Sequence, residues 1–353
     1  MTFQKSAARE RLEAGASERV LIFDGAFGTQ IQDRKLSEAD YAGDLGLAAD
    51  QKGNNDILAL TRPDVIEDIT RSYLDVGADV VSTNTFSANR ISQADYGAEA
   101  LVSDINRASA RIASALAREY EERDGRPRFV AGAIGPTNKT LSLSPDVEDP
   151  GFREITFDEL TEVYREQATA LVEGGADFIL IETVFDTLNA KAGIMAVKQL
   201  EAEIKREVPL MISMTLTDLS GRNLSGHTVE AFWNAVRHAK PLTIGLNCSF
   251  GADQLRPHVQ ALSGIADTLL LAYPNAGLPN ELGEYDELPE TTAGLVSQWA
   301  QNGQANILGG CCGSTPDHIK AIAESVSGLP PREVPSPAIS MRLSGLEAFV
   351  VES

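Results

Sequence analysis

PDVIEDITRSYLDVGADVVSTNTF, residues 63–86, predicts an amphipathic helix followed by a buried strand. Proline begins the helical part, Val65, Ile66 and Ile69 start an apolar stripe at helical spacing, and Gly77 ends it. The apolar run at 79–83 does not alternate with polar residues, which is typical of a parallel strand covered on both faces. Polar residues 84–85 follow directly after the strand. The stretch therefore predicts one unit of an α/β fold.

The same unit recurs along the chain. The helix-to-strand junction VGADV at 76–80 returns as GGADF at 174–178. Eight apolar runs alternate with helical segments, at residues 20–23, 79–83, 129–134, 178–181, 210–214, 242–246, 269–272 and 306–309. Eight such units predict a single-domain α/β (β/α)8 TIM barrel. An open doubly wound sheet is the alternative, although no Gly-x-Gly-x-x-Gly follows any predicted strand.

The predicted barrel occupies residues 19–330. Residues 1–18 are expected to form an N-terminal helical extension, and 331–353 a Pro-rich connector and C-terminal tail. The chain has 353 residues and a formal net charge of −21, which disfavours nucleic acid and anionic lipid as partners. Neither a signal peptide nor an apolar run of about 18 residues is evident. These features, with an odd number of cysteines, predict a cytoplasmic protein with no membrane contact.

Polar and sulfur-bearing residues follow the predicted strands, where a TIM barrel carries its functional groups. These candidate site residues are Asp24, Gly25, Asn84, Phe86, Glu182, Cys248, Asn275, Cys311 and Cys312. Because strands six and eight flank strand seven, we expect Cys248 to approach the Cys311-Cys312 pair.

These three residues are the only cysteines of the chain. Three thiolates suit a catalytic zinc, which keeps one position open for substrate, whereas structural zinc takes four protein ligands. Two alternatives remain: three buried small side chains, or a redox-active vicinal dithiol on an unrelated barrel enzyme. A mixed site that recruits His227, in the loop after strand five, is a further possibility.

Several motifs, taken together and in this order, resemble the zinc-dependent homocysteine S-methyltransferase family. They are FDGAFGT (23–29), GNND (53–56), TNTF (83–86), GPT (135–137), ET (182–183), GLNC (245–248), YPNAG (273–277) and GGCCG (309–313). The resemblance covers nearly the whole chain. GNND, the PNAG turn and RLSGLE (342–347) are most similar to the N-terminal homocysteine-binding module of cobalamin-dependent methionine synthase.

The resemblance implies a methyltransferase that binds L-homocysteine and one Zn²⁺ per chain and forms methionine. Cys248, Cys311 and Cys312 would hold the metal, with Asn275 as a fourth ligand when substrate is absent. Asp24 and Glu182 would bind the substrate ammonium group, and the Gly25 turn its carboxylate. Asn84 and Phe86 would form cavity walls.

The resemblance also implies methylcobalamin as the methyl donor. No histidine here lies in the Asp-x-His-x-x-Gly signature of the family's cobalamin module, so a separate corrinoid- and methyltetrahydrofolate-binding module or protein would present the donor. The chain would then be a stand-alone subunit or a piece cut at a module boundary. Two alternatives are a methyltransferase that uses betaine or S-methylmethionine, and a homocysteine-binding module with little turnover alone.

Overall fold

A parallel β-barrel forms the centre of the protein in the computed structural model, which describes residues 3–351. Its strands are Leu21–Ile22 (β1), Val80–Ser82 (β2), Phe129–Ile134 (β3), Phe178–Val184 (β4), Leu210–Met214 (β5), Thr243–Gly251 (β6), Leu269–Asn275 (β7) and Ile307–Leu308 (β8). Each strand from β2 to β7 pairs with the next along the chain, and β8 pairs with β1. A parallel bridge between Phe23 and Val80 brings the two ends of the sheet together. The predicted (β/α)8 barrel is confirmed.

Helices surround the strands. They are Ala7–Glu18 (α1), Phe27–Asp33 (α2), Glu38–Ala42 (α3), Leu58–Thr61 (α4), Pro63–Asp75 (α5), Arg90–Gln93 (α6), Val102–Asp124 (α7), Phe157–Gly174 (α8), Thr187–Ile204 (α9), Val229–Val236 (α10), Ala252–Ile265 (α11), Pro289–Gln301 (α12) and Pro316–Ser325 (α13). The helix predicted from residue 63 is α5, which begins with its proline. None of the helices within residues 3–351 has the length and apolarity of a membrane span.

Three strands extend beyond their predicted apolar runs at their C-terminal ends. β4 continues through Glu182, β6 through Cys248 and β7 to Asn275. Apolar periodicity alone does not predict these extensions, because the added residues are polar or sulfur-bearing. The consequence is that several candidate site residues lie on the barrel strands themselves, which positions them more rigidly than loops would.

Side chains from the strands fill the inside of the barrel, including Phe129, Phe178 and Leu271. Leu12 and Ala16 of α1 belong to the same apolar cluster, and both are fully buried. The N-terminal helix thus packs against the interior of the barrel and covers apolar residues there.

The C-terminal segment also packs on the barrel. Arg332 is buried and donates hydrogen bonds to the carbonyl groups of Ser263, Ala266 and Thr268. Burial lowers the pKa of Arg332 to about 10. A short antiparallel hairpin follows, formed by Arg342–Ser344 (β9) and Ala348–Val350 (β10). The sequence pattern does not predict this hairpin.

Gly245 lies where β6 pairs with β5 and β7, opposite Ser213 and Leu271. A Cβ atom at this position would lie 1.8 Å from the backbone oxygen of Leu271. The clash involves backbone on a strand of the barrel, so side-chain rotation cannot relieve it.

We therefore expect Gly245→Ala to lower the free energy of unfolding by about 3 kcal/mol or more, or to prevent folding. Gly294→Ala is the control, because Gly294 lies within α12 and a Cβ atom there meets nothing within 4 Å. That substitution should stabilise the protein by roughly 0.5–1 kcal/mol, because alanine loses less backbone entropy in a helix. Chemical denaturation measures both effects, and equal stability of the two variants would contradict the packing argument.

Candidate functional site

A cavity of about 490 Å³ opens at the C-terminal ends of the barrel strands. Its lining includes every site residue predicted from sequence except Asn275: Asp24, Gly25, Asn84, Phe86, Glu182, Cys248, Cys311 and Cys312. The GNND motif at 53–56 contributes to the outer wall. The residues predicted from strand ends therefore surround one space.

The three cysteines converge on one side of this cavity. Their sulfur atoms all lie within 4.8 Å of one another, and the Sγ atoms of Cys248 and Cys312 are 3.8 Å apart. All three are free thiols and half-buried. Hydrogen bonds from Cys248 and Cys311 hold the pKa of the Cys312 thiol well below its ordinary range. The cluster thus favours a thiolate at Cys312, which is the form that binds a metal ion.

Backbone hydrogen bonds fix the loop that carries Cys311 and Cys312. The Cys311 amide donates to the Pro274 carbonyl at 2.7 Å, and the Cys312 carbonyl accepts from the Ala276 amide at 2.9 Å. The loop after β8 is therefore fastened to the end of β7. Cys248 itself is in the left-handed region with φ 61°, a conformation that costs a non-glycine residue about 1–3 kcal/mol and clusters at functional sites.

Asn247 is a functional residue that the sequence pattern did not single out. Its side chain is fully buried and donates to the Cys311 sulfur at 3.8 Å and to the Thr183 hydroxyl at 2.9 Å. The amide oxygen accepts from the Ser213 hydroxyl at 2.7 Å and from the Thr183 backbone at 3.1 Å. One amide thus connects the cysteine cluster with the strand residue beside Glu182. The sequence signal available for this role is that Asn247 directly precedes Cys248.

Asn275 and Tyr285 lie beside the cysteine cluster. Asn275 is buried, and within residues 3–351 its side-chain oxygen has no hydrogen-bond partner. Its amide nitrogen is 3.5 Å from the Tyr285 hydroxyl, and that hydroxyl also stabilises the Cys312 thiolate. An unpartnered buried oxygen is an available ligand, so the environment of Asn275 fits the fourth position implied by the family pattern.

Asp24 lies on the wall formed by the end of β1. Its carboxylate is buried and accepts hydrogen bonds from the Ser82 amide at 2.7 Å and the Ser82 hydroxyl at 3.0 Å. Burial raises the pKa of Asp24 to about 8, and the nearby charge of Glu182 adds to the shift. Asp24 is therefore costly to ionise unless a positive charge lies beside it.

Glu182 presents the second carboxylate. It accepts a hydrogen bond from the Tyr273 hydroxyl at 2.9 Å. Burial raises the pKa of Glu182 to about 7, and the neighbouring Cys248 contributes. Tyr273 is another residue whose role the sequence pattern did not assign.

The Gly25 turn passes close to Tyr73. A Cβ atom at Gly25 would lie 2.8 Å from the Tyr73 ring, and the Tyr73 hydroxyl donates to the Ala26 carbonyl. Within residues 3–351, neither the Gly25 nor the Ala26 backbone N–H donates a hydrogen bond. These two amides are available to an anionic group in the cavity.

Asn84 and Phe86 form the wall after β2. The Asn84 side chain is buried and donates to the Asn55 carbonyl at 2.7 Å, which ties this wall to the GNND segment. Phe86 is 41% exposed, and its carbonyl accepts from the Gly135 amide. Asn84 therefore supports the wall, while the Phe86 ring remains accessible to a ligand.

His227 does not join the cysteine cluster. Its Nδ1 atom lies 3.1 Å from the hydroxyl oxygens of both Thr187 and Ser225. Among residues 3–351 the group that could hold a metal consists of the three cysteines and no histidine. A mixed cysteine and histidine site gains no support from this arrangement.

The folds of solved proteins provide a comparison. The homocysteine methyltransferase MmuM from Escherichia coli is similar in its oxidized form, with a TM-score of 0.71 and 21% sequence identity over 90% of this chain and 99% of that chain. Its metallated form gives a TM-score of 0.67 and 22% identity over 87% of this chain and 96% of that chain. At this level of identity the similarity shows a common fold.

The sequence itself matches a family model. The model of the homocysteine S-methyltransferase family matches residues 21–326, which include all eight barrel strands and all candidate site residues. The resemblance carried by the motifs is thereby confirmed, and the chain is a methyltransferase that belongs to the homocysteine S-methyltransferase family.

Proposed function

We propose that this protein is the homocysteine-binding component of a methionine synthase, which binds one Zn²⁺ through Cys248, Cys311 and Cys312 and transfers a methyl group from methylcobalamin to homocysteine. The proposal rests mainly on one observation. Three converging thiols and two carboxylates, the buried Asp24 and the half-buried Glu182, line the same cavity.

The cysteine geometry fits zinc. Tetrahedral zinc with Zn–S bonds of about 2.3 Å separates its sulfur ligands by about 3.8 Å. The observed distance between the Sγ atoms of Cys248 and Cys312 is 3.8 Å. When bound, Zn²⁺ would act as a Lewis acid that lowers the pKa of the homocysteine thiol and favours its nucleophilic thiolate form. The unpartnered oxygen of Asn275 supports a ligand role in the absence of substrate.

The carboxylates favour an amino-acid substrate. Asp24 and Glu182 face a cavity whose lining, within residues 3–351, contains no lysine, arginine or histidine. Their pKa values are raised because nothing in the described chain offsets their burial with positive charge. A ligand ammonium group would supply that charge and form charge-assisted hydrogen bonds. The free N–H groups of Gly25 and Ala26 would donate hydrogen bonds to the ligand carboxylate, which leaves the thiol to reach the cysteines.

The methyl donor is the second part of the proposal. The motifs GNND, PNAG and RLSGLE, which are most similar to methionine synthase, favour a methyl group carried on a corrinoid by another module or protein. The GNND segment, which resembles methionine synthases, lies on the cavity wall. Cationic donors such as betaine or S-methylmethionine are the alternative, and assays with each donor distinguish the cases.

Replacement of any one cysteine should abolish tight zinc binding. We expect Cys248→Ala, Cys311→Ala and Cys312→Ala to lose stoichiometric zinc by elemental analysis while circular dichroism shows a folded barrel, because the core does not depend on a metal. His227→Ala is the control and should keep its zinc. Full zinc occupancy in all three cysteine variants would refute the site, and a zinc-free wild type with a reversible disulfide would favour the redox dithiol.

Homocysteine binding should release close to one proton more than methionine binding near neutral pH, because both ligands bring an ammonium group to Asp24 and Glu182 but only homocysteine has a thiol proton to lose. A free thiol is mostly protonated there, and direct coordination requires the thiolate. Titration calorimetry in buffers with different ionisation enthalpies measures the number of protons. Methionine is the control ligand, because its sulfur carries no proton to release. Equal proton release by homocysteine and by methionine would argue against direct coordination.

Glu182→Gln should weaken homocysteine binding by about 1.5–3 kcal/mol, because it removes the charge that pairs with the ammonium group. Zinc content should stay unchanged, and mercaptoethanol, which lacks an amino group, should bind the variant as it binds wild type. Asp177→Asn is the matched control, since Asp177 is a raised-pKa carboxyl just before the opposite end of β4. If Glu182→Gln loses its zinc, or if it weakens the binding of homocysteine and of mercaptoethanol equally, Glu182 belongs to the metal site instead.

A further inference from the structure

A second large cavity lies at the opposite end of the barrel from the cysteines. It is a groove of about 540 Å³, and its lining includes Pro241, which precedes β6, and Thr268, which precedes β7. Both residues are at the N-terminal ends of their strands. The groove therefore lies at the other end of the barrel from the proposed methyl-transfer site.

The lining of this groove is strongly basic. We call it the basic groove and define it by Arg9, Trp233, Arg237, His238, Lys240 and Arg342. Asp267 is the acidic residue of the lining. Such a concentration of positive charge contrasts with the formal net charge of −21 for the whole chain.

Two of these cations have no carboxylate partner. Arg9 pairs with both Glu13 and Glu207 at 2.8 Å, and Arg237 pairs with Asp267. Lys240 and Arg342, by contrast, form no ion pair with any carboxylate of residues 3–351. Within residues 3–351, Lys240 and Arg342 are therefore the groove cations whose charge no direct ion pair neutralises.

Unpartnered N–H groups provide an independent indication of a ligand. Trp233 lines the groove, is 1% exposed, and its indole nitrogen is buried with no acceptor within residues 3–351. The Nε atom of Arg342 is also buried without a partner. The Trp299 indole is also buried without an acceptor but lies outside the groove, so the two groove donors indicate a ligand because they coincide with a cavity and with unpaired cations.

We propose that the basic groove binds a small phosphate-bearing anion. A phosphate group carries close to two negative charges near neutral pH and three strong acceptor oxygens, which matches two unpaired cations and two unpartnered N–H donors. The arginine fork suits phosphate geometry in particular. A long polyanion such as nucleic acid is disfavoured, because the acidic surface beyond the groove would repel it.

Titration of inorganic pyrophosphate into the full chain at low salt tests the proposal. We expect saturable binding to one site that weakens as salt increases, because exposed charges are screened. In nitrogen-15 spectra the indole N–H signal of Trp233 should shift on titration. Trp299, the second tryptophan of the chain, lies on α12 outside the groove, and its indole signal should stay in place.

Two matched variants separate the groove from general surface charge. Lys240 and Lys205 are both exposed, have left-handed backbones with φ 52° and 56°, and each follows the end of a helical segment. Asparagine tolerates this conformation, so both lysines can be replaced without strain. Lys240→Asn combined with Arg342→Gln should weaken pyrophosphate binding at least tenfold, whereas Lys205→Asn should leave it unchanged. If the double variant does not fold, Lys240→Asn alone should still weaken binding.

Three outcomes would overturn the proposal. They are the absence of saturable binding at millimolar pyrophosphate, equal loss in Lys205→Asn and Lys240→Asn, and a Trp233 signal that does not move. Tighter binding of citrate than of pyrophosphate would show that the groove prefers carboxylates and would refute the phosphate assignment. None of these results depends on zinc or on methyl transfer.

Discussion

The common direction of the barrel strands is the constraint on which the site depends. Because all eight strands are parallel and the sheet closes, their C-terminal ends meet around one cavity. Cys248 and Cys312 are 64 positions apart in sequence, yet their sulfur atoms lie 3.8 Å apart. The barrel core therefore brings together thiols that are distant in sequence.

Buried hydrogen bonds at the ends of β4 and β6 support a strained backbone. Thr183, Cys248 and Ser249 all have positive φ angles, and such residues cost about 1–3 kcal/mol each. The Asn247 amide offsets part of this cost, since both its oxygen and its nitrogen bond to Thr183. A typical hydrogen bond contributes about 1 kcal/mol, and loss of a buried partner costs more. The strained backbone and the Asn247 amide together hold the Cys248 sulfur near the sulfur atoms of Cys311 and Cys312.

The sequence predicted the place of a strand or a site residue wherever the residue type alone indicates it. Apolar runs located the strands, and polar residues after those runs located Asp24, Glu182 and the cysteines. Asn247 could not be assigned a role in this way, because its partners come from β4, β5 and the loop after β8. The basic groove was equally inaccessible to pattern reasoning, since its lining combines α1, the start of β6 and the C-terminal hairpin. Such contacts depend on packing between segments distant in sequence.

In the proposed function, substrate choice follows from carboxyl groups that no cation of the described cavity lining pairs with. Asp24, Asp56 and Glu182 are withdrawn from water at the cavity, and burial is the main cause of their raised pKa values. A ligand ammonium group near Asp24 and Glu182 would relieve the cost of ionising them. A thiol without an amino group cannot do so, even if its sulfur reaches the cysteines equally well. The proposed function thus assigns discrimination for an amino-acid thiol to the ammonium end of the ligand, and the sulfur chemistry to the cysteine cluster.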